Sequence, residues 1–348
     1  MACSSDTPRP DGGYDGGLEE GVIGFGAKSG EEMKDSRGVV DPVDNEKFLQ
    51  AGKFLVYSNY DYDMVNGSYV HSVPEFQKQE VTYDAPTQKW TYSPKRFWSG
   101  TGAYHFRACF PTTADIISSS NGKNLAIDYS IYKDSYDLMV AYHYRDMATT
   151  PDADKAKPVN LIFNHALAAI RFKMIAETGK EYQLSVASIY NLYTVATFSY
   201  NLGVNSDQAT VDPQWNEKLL KNWQLAYWDS NKNPYGYTGK PTDLITDDTA
   251  KETYISPYMY VIPQEVNKWT KKPTDMNDKR EYTAITFTIQ VNGQHVTTVK
   301  ELPEFTWYPG KKYTYLIKVK PGMQTTIEVV TTDWEAVDAT GDDIIIDK

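Results

Sequence analysis

Few residues in this chain have the types and spacing that chemistry needs. Its five histidines, His71, His105, His143, His165 and His295, are scattered. None falls at a His-Glu-x-x-His or comparable ligand spacing, so no metal site is expected. Asp61-Tyr-Asp63 followed by Asn66-Gly67 imitates the start of a calcium loop. The rest of the ligand series and the closing glutamate are missing, so a turn is expected there. Neither a Gly-x-Ser-x-Gly elbow nor a phosphate-cradling loop occurs. Carboxylates are plentiful, yet nothing singles out a pair set for glycoside hydrolysis. The chain therefore reads as a non-enzyme, and no cofactor is expected.

The two cysteines read differently from each other. Cys109 lies in Tyr104-His-Phe-Arg-Ala-Cys-Phe110, an alternating apolar run, and is expected as a buried, inert thiol. Cys3 precedes Ser4-Ser5-Asp6 and a stretch rich in Pro, Gly and Asp. A bacterial lipoprotein presents such a cysteine at its mature N-terminus, acylated and followed by a flexible tether. On that reading Cys3 is the lipidation site, and a secretion signal precedes it in the natural protein, with Met1 in its place here. The alternative is a chance cysteine near an unstructured start.

Composition excludes other classes. Net charge is −11 with the acidic residues spread along the chain. Such a surface repels phosphate backbones, so nucleic-acid binding is not expected. No apolar run is long enough to cross a bilayer as a helix. Hydrophobic residues at 41% and charged residues at 23% fit a globular chain. The 27 tyrosines and 8 tryptophans favour sheet surfaces.

The elements that must position these residues read as strands. Residues 1–20 are tether-like. In Gly21–Lys28, alternation puts Ile23, Phe25 and Ala27 on one face, and Ser29 to Asp41 reads as an exposed polar loop carrying Arg37. Further strands are expected at Phe54–Tyr57, Val81–Tyr83, Lys89–Tyr92, Tyr104–Phe110 and Tyr136–Tyr142. Val159–Ile175 reads as two strands joined by a bend, with His165 as a packed structural histidine. Leu184–Tyr200, Met259–Ile262, Thr283–Val291, His295–Val299, Lys312–Val319 and Thr325–Val330 follow, with Asn292-Gly293 as a hairpin turn. Residues 201–253 are weakly patterned and are expected as an irregular insertion. Its Trp223 and Trp228 are candidates for an adhesive surface. Length and turn spacing predict an all-β chain of two tandem β-sandwiches, 21–176 and 177–348, with few short helices.

Several segments resemble the fimbrillin-like proteins of Bacteroidetes, subunits of protease-assembled (type V) pili. They are Lys95-Arg-Phe-Trp-Ser99 with Tyr104–Pro111, Phe163-Asn-His-Ala-Leu-Ala168, Tyr260-Val-Ile-Pro-Gln264, and Trp307-Tyr-Pro-Gly-Lys-Lys-Tyr-Thr-Tyr315, with a late Trp334. The resemblance implies two transthyretin-like domains, delivery through the periplasm to the outer membrane as a lipoprotein, and a place in a cell-surface fimbrium that supports adhesion. It also implies donor-strand exchange: a trypsin-like or arginine-specific protease removes an N-terminal segment, and a neighbouring subunit's strand fills the groove. Mapped onto this sequence, Cys3 is the acylated residue and Arg37 the processing site, with an ordinary solvated arginine as its alternative. Residues 21–37 are then the removable segment, with Val22, Ile23, Phe25 and Ala27 on the exchanged strand. Ile344, Ile345 and Ile346 are a candidate donor strand, or equally the last strand of their own domain. Expected partners are other pilus subunits, the membrane through the lipid, and a host or bacterial surface ligand. A monomeric surface lipoprotein that binds glycan or host protein is the competing expectation, with a stalk, anchor or tip position left open.

Overall fold

In the computed structural model, the residues described are 21–29, 52–99, 101–118, 126–130, 137–176, 182–200, 213–227, 242–243, 253–254, 259–266, 283–291, 294–319, 325–333 and 344–346. The fold is all-β. The only helix among the described residues is α1 (Asp152–Lys155), a single turn entered from Pro151.

The first sheet closes on itself. Its strands are β1 (Phe25–Ser29), β2 (Lys53–Val65), β3 (Ser68–Asp84), β4 (Lys89–Thr91) and β5 (Ala103–Phe110). After β6 (Asp115–Ser118) and β7 (Ala126–Ser130) depart to another sheet, β8 (Met139–Asp146) and β9 (Val159–His165) complete it. The order around the barrel is β1-β4-β3-β2-β5-β8-β9. Asn66 and Gly67 adopt positive φ, 52° and 78°, between the paired Val65 and Ser68. Both central residues in the left-handed region make the two-residue hairpin whose twist matches the strands it joins. The expected turn at Asn66-Gly67 is therefore present.

β5 is buried along nearly its whole length. Tyr104, Phe106, Ala108 and Phe110 face the barrel core, where they meet Phe54, Val56 and Phe163. Cys109 faces outward into a second core with Leu55, Tyr57 and Val140. One wall, β2–β5–β8, is thus covered on both sides.

The second core lies between two further sheets. One runs β14 (Thr253–Tyr254), β10 (Ala168–Ala176), β20 (Lys311–Val319), β21 (Thr325–Asp333), β22 (Ile344–Ile346), with β15 (Met259–Val261) also on β10. The other runs β18 (Gln294–Glu301), β17 (Ala284–Val291), β11 (Tyr182–Tyr200), β7, β6, with β12 (Pro213–Tyr227) and β13 (Thr242–Asp243) on β11. A small pair, β16 (Glu265–Val266) with β19 (Phe305–Thr306), completes the set. The pair Val291↔Gln294 flanks the expected two-residue hairpin.

Pairing crosses the expected division at 176/177. β7 joins β11, and β10 pairs in parallel with β20, so three segments numbered within the first unit build sheets of the second core. The expected irregular insertion also differs: within 201–253, residues 213–227 form a long strand on β11. Its register shifts repeatedly, as between Ile189 and Leu192. Bulges of this kind break period-two alternation, which is why the sequence shows no strand pattern there.

Candidate functional site

β1 is short but deeply seated. Ile23 is fully buried and Phe25 is 5% exposed, while Ala27 packs at the edge of the same core. The Phe25 ring lies 5.5 Å from those of Phe76 and Tyr92, 6.0 Å from Phe106 and 6.5 Å from Phe54, all edge-on or nearly so. These separations fall within the attractive range of aromatic pairs. Burying Ile23 and Phe25 is worth about 1.5–3 kcal/mol each. Val22, buried at 4%, bridges to Phe97.

The backbone of β1 is held from both sides. On one side it runs parallel to β9, in register from Phe25↔Val159 to Ser29↔Phe163. The Val159 amide donates to the Gly24 carbonyl at 2.7 Å. On the other side it pairs antiparallel with β4 at Phe25↔Trp90. The Ile23 amide donates to Arg96 O and the Trp98 amide to Gly21 O, both at 2.9 Å. The Tyr92 hydroxyl donates to the Ile23 carbonyl at 2.7 Å. Tyr92 was visible in sequence only as a strand residue. Nothing local marks a side chain whose partner lies 69 positions earlier.

Side chains also fix the segments that flank the neighbours of β1. The Arg145 guanidinium donates to the carbonyls of Lys157 at 2.7 Å and Pro158 at 3.0 Å, and sits 4.8 Å over the Trp98 ring. Gly102 has no room for a side chain, since a Cβ there would lie 2.2 Å from the Asp61 carbonyl oxygen. On the outer face, Asp61 stands 3.4 Å from His105, which is 2.8 Å from the Tyr142 hydroxyl. Burial alone would raise the Asp61 pKa, but hydrogen bonds from His105, Ser72 and Asn59 bring it down to about 2. The acidic pair that imitated a calcium loop thus belongs to this polar network and its hairpin.

Three motifs of the resemblance meet around the second core, while Lys95–Ser99 with Tyr104–Pro111 packs mainly in the barrel. β9 and β10 are separated at Ala166-Leu167, the expected bend. His165 Nδ1 lies 2.7 Å from Asp137 Oδ2, and both side chains are buried, consistent with a structural histidine. Gly310, at φ 68°, donates its amide to the Leu167 carbonyl at 2.8 Å. Phe172 stacks on Tyr315 at 5.1 Å, and Trp307 donates its indole N–H to the Tyr315 hydroxyl at 2.8 Å. Gln264 has a further task. Along one edge of β11, β17 ends opposite Tyr190 and β7 begins opposite Val195. In that gap the Gln264 carboxamide accepts from the Tyr193 amide at 2.8 Å and donates to the Tyr193 carbonyl at 3.2 Å. The side chain stands in for a strand.

Cys3, Arg37, the 1–20 tether, Trp228 and Trp334 lie outside the described residues, as does the side chain of Trp223. The tail strand β22 pairs antiparallel with β21, Val329↔Ile346 through Thr331↔Ile344, as the last strand of its own sheet. Among the described residues no cluster of metal-ligating side chains occurs, and no helix is long and apolar enough to cross a membrane.

The sequence matches the profile of a family described as fimbrillin-like over residues 61–334. Among solved structures, a Bacteroides uniformis protein provisionally described as a cell adhesion protein is similar, with a TM-score of 0.49 and 15% identity, covering 90% of this chain and 100% of that one. A Bacteroides ovatus protein described in the same way gives 0.47 and 14%, covering 90% and 96%. The tip fimbrial protein Mfa3 of Porphyromonas gingivalis, with a C-terminal truncation, gives 0.36 and 11%, covering 80% and 94%. No protein of curated function matches the chain.

Proposed function

The chain belongs to the fimbrillin-like family, and from that membership we propose that it is a structural subunit, or a tip or anchor component, of a type V-like cell-surface pilus. It works by assembly and adhesion, not catalysis. The observation that carries the reading is β1: the first described strand, which supplies a central aromatic to a closed barrel and leads to β2 through the 30–52 connection. Cutting that connection turns an intramolecular strand into a ligand that dilution can remove, because tethering is what keeps its effective concentration high. The vacated groove exposes apolar surface and unpaired backbone, which another subunit's strand satisfies by β-augmentation.

In this reading Arg37 is the processing site and Cys3 carries the lipid that holds the precursor to the outer membrane. The two units are transthyretin-like in type, with the second built partly from β6, β7 and β10. Ile344–Ile346 serve as donor only by leaving β21. The test is to cut the folded full chain with an arginine-specific protease and follow mass by light scattering. Loss of the N-terminal fragment with growth of higher oligomers is expected. A clipped protein that stays monomeric at high concentration and keeps β1 bound overturns the proposal.

A second reading, a monomeric surface adhesin for glycan or host protein, draws on the β2–β3 hairpin. Tyr60 and Tyr62 stack at 5.7 Å, and Tyr62 meets His71 at 5.4 Å. Met64, Val65, Val70 and Val73 are each at least 40% exposed on the same ribbon. Binding on a glycan array that is lost in Tyr62→Ala, with no oligomer after cleavage, would favour it over the pilus reading.

A further inference from the structure

In the barrel β1 runs parallel to one neighbouring strand and antiparallel to the other. β1 runs parallel to β9 through five registered pairs, Phe25↔Val159 to Ser29↔Phe163. On its other side it meets β4 at one ladder pair, Phe25↔Trp90, and the following loop at one bridge, Val22↔Phe97. Most of its ladder is therefore of the parallel kind, which is slightly the less stable per residue. Every other adjacent pair in the barrel, β1–β4 included, is antiparallel.

The groove does not enforce that direction. Its floor is a ring of apolar side chains, and an aromatic or branched residue enters it equally well from a strand running either way, because side chains alternate with the same period in both. The polar groups at its rim are also indifferent. Arg96 O accepts, while the Trp98 amide and the Tyr92 hydroxyl donate, and a reversed backbone offers N–H and C=O groups to all three. β10 and β20, the other parallel pair, are joined by a long crossover through β11 to β19.

We propose that the strand which replaces β1 enters in the opposite direction, antiparallel to β9, with a large apolar side chain in the Phe25 position. The occupant is an extended segment of a neighbouring subunit. The proposal rests on the strand-exchange reading above and adds to it a reason for exchange to run forward. β1 holds its five-pair ladder with β9 in the less favourable orientation, and the donor, free of the connection to β2, makes that ladder antiparallel while turning only the single β4 pair and the Val22 bridge parallel.

A cross-linking experiment reads the direction. The full chain carries Cys3→Ser and Asn164→Cys, the latter at an exposed position near the end of β9. Cys109 is fully buried and does not compete. A protease recognition sequence is inserted between residues 30 and 51, so that the outcome does not depend on Arg37. After cleavage, synthetic peptides of the sequence 21–29 are added with a cysteine at the amino or the carboxy end. With Phe25 kept in its pocket, the parallel arrangement brings the carboxy end to position 164, and the antiparallel arrangement brings the amino end there. A severalfold excess of disulfide to the amino-end peptide is expected. Preferential capture of the carboxy-end peptide overturns the direction while leaving exchange intact. Failure of either peptide to bind, measured by fluorescence anisotropy, overturns exchange itself.

Discussion

Replacing Phe25 with alanine tests whether β1 is a wall of the barrel or only a strand lying against it. The side chain is 5% exposed and its ring has four aromatic neighbours at 5.5–6.5 Å. Truncating a buried phenylalanine costs about 3–5 kcal/mol, from lost transfer energy plus the cavity left behind. The upper half of that range is expected, because strands on both sides of β1 limit how far the site can collapse. Urea unfolding followed by tryptophan fluorescence reads this change, with Trp90 and Trp98 packed against the same core as reporters. Once the connection after β1 is cut, the same loss weakens retention of the fragment by roughly three to four orders of magnitude. Gel filtration after proteolysis reports it. Met64→Ala, on the exposed hairpin at 52%, is the control and is expected to change stability by no more than about 0.5 kcal/mol. If Phe25→Ala costs less than about 1 kcal/mol, β1 is not a core element, and its removal would open no groove worth filling.

Gly102→Ala should destabilise the barrel by at least about 1–3 kcal/mol, because the new methyl meets the Asp61 backbone and the Tyr60 ring; a thermal melt unchanged from the parent would contradict that geometry. His143 is held down to about 4, chiefly by burial and then by the Arg145 charge, against a hydrogen bond with the Asn160 backbone. Its folded pKa is depressed, so stability is full above pH 6.5, falls between 6.5 and about 4, and is flat below. The loss amounts to roughly 3 kcal/mol, and His143→Gln should flatten that window in urea titrations run at several pH values. Cys109 is fully buried, with burial pushing its thiol up to about 12. In a Cys3→Ser background it should react with a thiol reagent only as fast as the protein unfolds, and rapid labelling of the native protein would place it elsewhere.

Much of the fold was legible because alternation survives in half-buried strands. Ile23, Phe25 and Ala27 announced β1, Asn66-Gly67 announced the turn between β2 and β3, and the apolar run around Leu161 announced β9. What alternation cannot say is which strand lies beside which. β10 shows the right faces and β7 was not expected as a strand, but nothing in their residues says that they serve the second core, so the division at 176/177 followed the order of the chain instead of its pairing. β12 was invisible for a different reason: each bulge along β11 moves the next residue to the other face, and the period is lost. At the candidate site, the apolar face of β1 was readable, whereas its hold on Arg96, Trp98 and Tyr92 was not. Those contacts are backbone groups or a hydroxyl meeting a carbonyl, and they leave no trace in residue type. Gln264 is the intermediate case. The Pro-Gln ending stood out by resemblance, but its purpose, filling the gap opposite Tyr193, appears only once β17 and β7 are seen to stop short of each other.

The position of β1 around the barrel bears on whether its loss can be tolerated. The wall shared with the second core is β2–β5–β8, where Leu55, Tyr57, Cys109 and Val140 face outward into that core. In the ring order β1-β4-β3-β2-β5-β8-β9, the central strand of this wall is three steps from β1 in one direction and four in the other, so β1 lies across the barrel from it. Phe25 reaches over the interior to Phe106 on β5, with the centroids 6.0 Å apart. That is a contact between the inner faces of opposite walls. Removing β1 therefore opens the barrel on the side away from the second core, and leaves the outward face of β5 and its packing in place. A strand taken from the shared wall would instead uncover both cores at once and would not leave a folded acceptor. The arrangement confines the damage of cleavage to one groove, which is the condition a subunit must meet if it is to wait, folded, for another chain to complete it.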